Sequence, residues 1–177
     1  EINCIAYAEP DILYAGTRKG LLKSEDGGLN WRGVFSSMMS GKSDVLSIAI
    51  DIARPDTVLV GTKKGVFISD DAGRKWRGIS GQLGNGPVSS VAIAGEELYA
   101  GADGGLYIDR DRSGRWERAI VKIRAADGRQ DPEDDDAEKE EAPAREGVRS
   151  VAAASGSVYA AFNRYIYWKE AGADTWR

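Results

Sequence analysis

Ser24-Glu-Asp26-Gly-Gly28-Leu-Asn-Trp31 and Ser69-Asp-Asp71-Ala-Gly73-Arg-Lys-Trp76 are one eight-residue phrase, Ser-x-Asp-x-Gly-x-x-Trp, written twice. Near-identical lead-ins precede them, Leu13-Tyr-Ala-Gly16-Thr17-Arg-Lys-Gly20 and Leu59-Val-Gly61-Thr62-Lys-Lys-Gly65. A weaker third copy runs from Leu98-Tyr-Ala-Gly101 to Asp109-Arg-Asp111-Arg-Ser-Gly114-Arg-Trp116. In a fourth, Val158-Tyr-Ala-Ala161 leads to Trp176 through a turn that has lost both the Ser and the Asp. A chain that repeats at a fixed interval builds one structural unit several times and buries each unit against the next.

The Trp anchors lie 45, 40 and 60 residues apart, and Gly16, Gly61, Gly101 and Ala161 step by the same intervals. A period of about 40–45 residues holding four short strands is the length of one propeller blade. Each unit opens on a strand with a small residue, an aliphatic and an Ala: Cys4-Ile5-Ala6, Ser47-Ile48-Ala49, Ser90-Val91-Ala92 and Ser150-Val151-Ala152. The expected opening strands are 2–8, 45–51, 88–94 and 148–154, with a fourth strand beginning at each Trp. Short strands rich in β-branched and aromatic residues, separated by Gly, Pro and Asp turns, predict an all-β meander. No stretch keeps a helical period, so parallel α/β folds drop out. The expected fold is a β-propeller of four-stranded antiparallel blades, with units at about 1–37, 43–80, 87–122 and 148–177. The chain starts on a strand without Met and stops just after Trp176, which predicts four blades of a larger ring, since an unclosed blade exposes a sheet edge. A closed four-bladed ring and a ring completed by two chains are the alternatives.

At Ser24, Asp26, Gly28, Trp31 and at Ser69, Asp71, Gly73, Trp76 the chain resembles the Asp-box, or BNR, repeats of sialidases, sortilin-type receptors and photosystem II assembly factors. The resemblance covers all four units, is greatest to non-catalytic bacterial members, and implies an extracellular or periplasmic setting. It places each box on the hairpin between the third and fourth strands. Asp26 and Asp71, with Asp111 in the decayed third copy, then brace the turn through backbone N–H bonds, as short Asp side chains do. Trp31, Trp76, Trp116 and Trp176 pack between neighbouring sheets. The competing view of Asp26 and Asp71 as catalytic carboxylates or metal ligands fails on geometry, because they sit a blade apart and do not converge on one bond.

Histidine is absent, which removes Ser-His-Asp and Cys-His catalysis and imidazole metal ligation from these residues. The single cysteine, Cys4, fills the slot of Ser47, Ser90 and Ser150 and reads as a small packing residue. No metal and no cofactor is expected. No run of 18 apolar residues occurs, so no membrane span is expected. Between Asp127 and Glu146 ten acidic residues stand against three basic ones, while the whole chain carries −4, which leaves the remainder at +3. That density, with Pro132 and Pro143, predicts a disordered acidic insertion at 125–147. A calcium-loop reading fails there, with Asp136 in place of the turn Gly and Ala142 in place of the closing Glu. An acidic chain whose aromatics are committed to strands does not fit nucleic acid.

In such a blade the turns between strands two and three share a face with the blade-to-blade linkers, where propellers usually hold ligands. That face carries Arg18, Lys19, Lys63, Lys64, Asp103, Arg164, the linkers 36–44 and 80–87, and the acidic insertion. The basic pairs recur at one register and form a candidate rim for an anionic glycan or an acidic protein segment. Their plainer reading is a set of solubilising turn residues.

The enzymatic alternative is a sialidase-like glycoside hydrolase whose catalytic residues lie mostly outside this segment. That resemblance implies three arginines, a Tyr nucleophile with a Glu partner, and an acidic Asp. Ala53-Arg54-Pro55-Asp56 is the nearest approach to the arginine stretch, but it falls in the turn between strands one and two, on the opposite face. Tyr14, Tyr99 and Tyr159 recur at one repeat position and read as packing residues, and Glu97 and Glu117 have no evident partner. The function expected is a non-catalytic scaffold for a protein or glycan partner.

Overall fold

The computed structural model describes residues 1–8, 11–36, 44–119, 148–154, 156–162, 166–174 and 176. Among them fifteen strands form four antiparallel sheets, and in each the strands pair in chain order. The first holds β1 (Ile2–Ala8), β2 (Ile12–Thr17), β3 (Gly20–Ser24) and β4 (Arg32–Phe35). The second holds β5 (Val45–Ile50), β6 (Val58–Thr62), β7 (Gly65–Ser69) and β8 (Arg77–Gly78). The third holds β9 (Val88–Ala94), β10 (Glu97–Ala102), β11 (Gly105–Asp109) and β12 (Glu117–Arg118). The last holds β13 (Ser150–Ala154), β14 (Ser157–Ala161) and β15 (Ile166–Glu170). The chain is all-β, as its repeat predicts; no α-helix occurs among the described residues.

Three details differ from expectation. The second opening strand stops at Ile50, because the Asp51 carboxylate folds back to accept the Ala53 and Arg54 N–H groups. The fourth opening strand begins at Ser150 instead of Val148. The outer strands start one residue after Trp31, Trp76 and Trp116, and the indoles of Trp76 and Trp116 turn away to the preceding sheet. The acidic stretch 127–146 lies outside the described residues.

The core lies between sheets. Alternate residues of a strand face opposite ways, so Val58 and Val60 of β6 pack on Tyr14, Leu21 and Phe35 of the first sheet, while Leu59 packs with Val91 and Leu98 of the third. A third cluster joins Tyr99, Leu106 and Ile108 to Val151, Val158 and Tyr167. Among the described residues no cluster joins the fourth sheet to the first. Ile5 is 63% exposed on the outer face of the first sheet, and Ile166 is 72% exposed on that of the fourth.

Inner strands are stitched across sheets by the recurring small residue. Ser47 Oγ accepts the Val91 N–H at 3.1 Å, and Ser90 Oγ accepts the Val151 N–H at 2.8 Å. Such close approach explains the repeated glycine: a Cβ on Gly61 would stand 2.6 Å from Val88 O, and one on Gly16 would stand 2.7 Å from Val45 Cγ1. Ala161 takes that slot in the fourth sheet, where no further sheet among the described residues presses on it.

Candidate functional site

The two full box turns have the same internal wiring. Ser24 Oγ donates to Asp26 Oδ1 at 2.8 Å and accepts the Gly28 N–H at 2.9 Å; Ser69 Oγ donates to Asp71 Oδ1 and accepts the Gly73 N–H, both at 2.9 Å. Asp26 Oδ1 accepts the Asn30 N–H at 2.9 Å, and Asp71 Oδ1 accepts the Lys75 N–H at 2.8 Å. The Asn30 N–H, with its side chain and Ser24, holds the Asp26 carboxyl down at about 2. The Lys75 N–H does the same for Asp71, which lies below the usual carboxylate range. In the third turn Asp109 replaces the Ser, taking the Gly114 N–H at 2.7 Å, and Asp111 is held low by Ser113 and Arg115. These carboxylates are engaged by their own turns.

Three of the four box tryptophans meet the sheet before them. Trp76 Nε1 donates to Val34 O at 2.9 Å and its ring meets Phe35 edge-on at 5.1 Å; Trp116 Nε1 donates to Ile79 O. Trp176 is buried, edge-on to Tyr99. Trp31, expected between sheets, is 40% exposed and bonds only to Gly28 O of its own turn, because no sheet among the described residues precedes the first.

The fourth turn is rebuilt around charge. Val158 pairs with Lys169 as Leu13 pairs with Ser24, so Lys169 fills the lost Ser slot. Its ammonium is buried, donates to Ala173 O at 2.7 Å and to Glu97 Oε2 at 3.2 Å, and lies over the rings of Tyr99 and Trp176. Glu97 reaches in from β10 and also accepts the Gly172 N–H, the Tyr99 hydroxyl and Arg110 Nη1. Burial pushes the Glu97 carboxyl up, but the Tyr99 hydroxyl, the Gly172 N–H and Lys169 outweigh it and hold it below its ordinary value. Glu97 therefore has the partners that its sequence neighbours did not disclose; Lys169 was legible, seven residues before Trp176. The Tyr99–Glu97 contact is not a nucleophile pair, since Tyr99 is fully buried and burial with Glu97 drives its phenol far upward. Tyr14 is likewise buried, whereas Tyr159 is exposed on the outer face. Arg54 is held by Asp51 and Glu96.

On the linker face the turns after β2 and β6 match, with Lys19 N–H donating to Thr17 Oγ1 and Lys64 N–H to Thr62 Oγ1. The rim is not uniformly free. Arg18 pairs with Glu1 at 3.1 Å and Lys63 with Asp44 at 2.7 Å, Asp44 being held below its usual range by that ammonium. Among the described residues Lys19 and Lys64 have no carboxylate partner within 4.0 Å. Arg164 lies outside the described residues. Beside Lys19 a cleft of about 540 Å³ opens between the first two sheets, with Leu22, Phe35, Ser36, Phe67 and Trp76 in its walls. No group of three or more metal-ligating side chains exists among the described residues, and no helix there is long and apolar enough to cross a membrane.

No protein-family model and no curated protein sequence matches the chain. Solved structures do. The GH74 xyloglucanase from Xanthomonas campestris is similar at 17% identity and TM-score 0.68, over 99% of this chain and 30% of that one. YCF48 bound to D1 peptide is similar at 14% identity and TM-score 0.62, over 99% of this chain and 54% of that one. The extracellular domain of BT4673, a putative one component system of B. thetaiotaomicron, is similar at 19% identity and TM-score 0.63, over 93% of this chain and 21% of that one. The chain thus spans about a fifth to a half of these proteins. At such identities the likeness is one of fold, and the four sheets are blades of a β-propeller.

Proposed function

We propose that the chain is a non-catalytic β-propeller scaffold of the Asp-box type, bacterial and exported, whose four blades belong to a larger ring. Its linker face receives a protein or an anionic glycan. The support is the pair Lys19 and Lys64, cations at one register of adjacent blades with no ion-pair partner among the described residues, Lys19 lying beside an amphipathic cleft. The carboxylates of the box turns, Glu97 and Asp51 are all engaged by neighbouring donors. YCF48, a propeller of similar fold, is known bound to a peptide, which fits a binding role. Two double variants test the rim on a carboxylated-glycan column. Lys19→Ala with Lys64→Ala should lower the eluting salt concentration more than Arg18→Ala with Lys63→Ala. Equal effects of the two pairs would refute the rim.

A further inference from the structure

The gap between the second and third blades shows what the gap between the first and second can hold. After β8 the chain makes a short 3-10 turn, Gly81–Leu83, that plugs the outer end of the second gap. Gln82 Oε1 accepts the Trp116 N–H at 3.0 Å, Leu83 packs on the core cluster beneath, and Ser80 Oγ accepts the Val66 N–H at 3.0 Å. The plug is an acceptor oxygen followed by an aliphatic side chain.

The corresponding place between the first and second blades is the 540 Å³ cleft. By repeat position Leu21 stands for Val66, Phe67 for Tyr107 and Trp76 for Trp116, and all three line it. Phe35 takes the place of Ser80, so an aromatic wall replaces a hydroxyl, with ring centroids 5.1 Å from both Phe67 and Trp76. Lys19 adds a cation at the rim. Residues 37–43, which follow Ser36, lie outside the described residues.

We infer that this cleft is a peptide-binding site for a segment carrying an acidic residue followed by an aliphatic one, the carboxylate facing the Trp76 N–H and Lys19 and the aliphatic side chain entering between Phe35, Phe67 and Trp76. The inference rests on the scaffold proposal above and names its partner chemistry. An apolar floor supplies affinity by burial, and one ammonium supplies the choice of acid over amide.

The probe is acetyl-Ser-Gly-Glu-Leu-Gly-amide, a copy of the plug with Glu for Gln, titrated into the intact chain and followed by backbone amide shifts. Shifts should concentrate at Trp76, Lys19 and Phe67. The Leu-to-Ser peptide should bind at least about tenfold more weakly, and the Gln peptide about two- to fivefold more weakly. Lys19→Ala should erase the Glu-over-Gln preference while leaving Gln-peptide binding in place. No shift at Trp76 with about 10 mM peptide overturns the site. So does binding that appears only after Met38→Ser and Met39→Ser, because the cleft then belongs to the chain's own linker. Column retention that still depends on Lys19 and Lys64 while the peptide fails sinks the cleft alone; retention independent of both lysines sinks the scaffold proposal.

Discussion

The indole of Trp116 is 3% exposed between two sheets, and that of Trp31 is 40% exposed at a free face. Both close the same turn, so the difference measures what a preceding sheet contributes. Truncating a buried Trp removes its transfer energy and leaves a cavity, so Trp116→Ala should cost about 3–5 kcal/mol. Trp31→Ala should cost less than about 1 kcal/mol, in the range of surface substitutions. Urea midpoints read the two losses; equal losses would mean that the Trp31 face is covered in solution. The tryptophans and their spacing were legible from the repeat, since a period is a property of the chain alone. The exposure of Trp31 was not, because burial depends on which sheet lies opposite. The rim shows the same divide. Arg18 and Lys63 could be placed on their turns, but Glu1 and Asp44, which neutralise them, are distant in the chain.

At the level of the turn, the fourth unit has lost its hydroxyl and its carboxylate. The brace has moved from within the blade to between blades: Glu97 of β10 accepts the Gly172 N–H, and Lys169 answers its charge. Sequence reasoning recorded the loss and missed the replacement, because the two partners lie 72 residues apart. Lys169→Met removes the buried one of the two cations that Glu97 faces and leaves Arg110 at 3.0 Å, so it should cost up to about 3–5 kcal/mol, the range for a broken buried pair. Adding Glu97→Gln should recover much of that loss, since a neutral amide is cheaper to bury than an unpaired charge. A double variant no more stable than Lys169→Met would refute the pairing. Acid should act on the same brace. The folded carboxyl of Glu97 lies below its unfolded value. Its contribution is therefore full above the ordinary carboxylate range and is lost as pH falls through the lowered value. Glu97→Gln should flatten that acid limb of the stability curve, and an unchanged limb would assign it to the surface box carboxylates.

Among the described residues the sheets form a row in which the core clusters join only neighbours, and a row of repeats is stabilised by its interfaces. The second and third blades are covered on both faces by core clusters, whereas the first and fourth each have one covered face among the described residues. Among the described residues the fourth also has three strands where the others have four, so β15 has no outer neighbour there. Local opening follows the apolar contacts that must be broken. Hydrogen exchange of the chain should therefore be slowest in β5–β7 and β9–β11, faster in β2–β3, and fastest in β14–β15. Dilution should leave that gradient unchanged if the outer faces are free. Equal protection of all four sheets would instead mean that the faces bearing Ile5 and Ile166 are covered in solution. If that protection falls on dilution, a second copy supplies the cover. Outer faces this apolar fit the larger ring proposed above, and the exchange gradient tests whether something covers them.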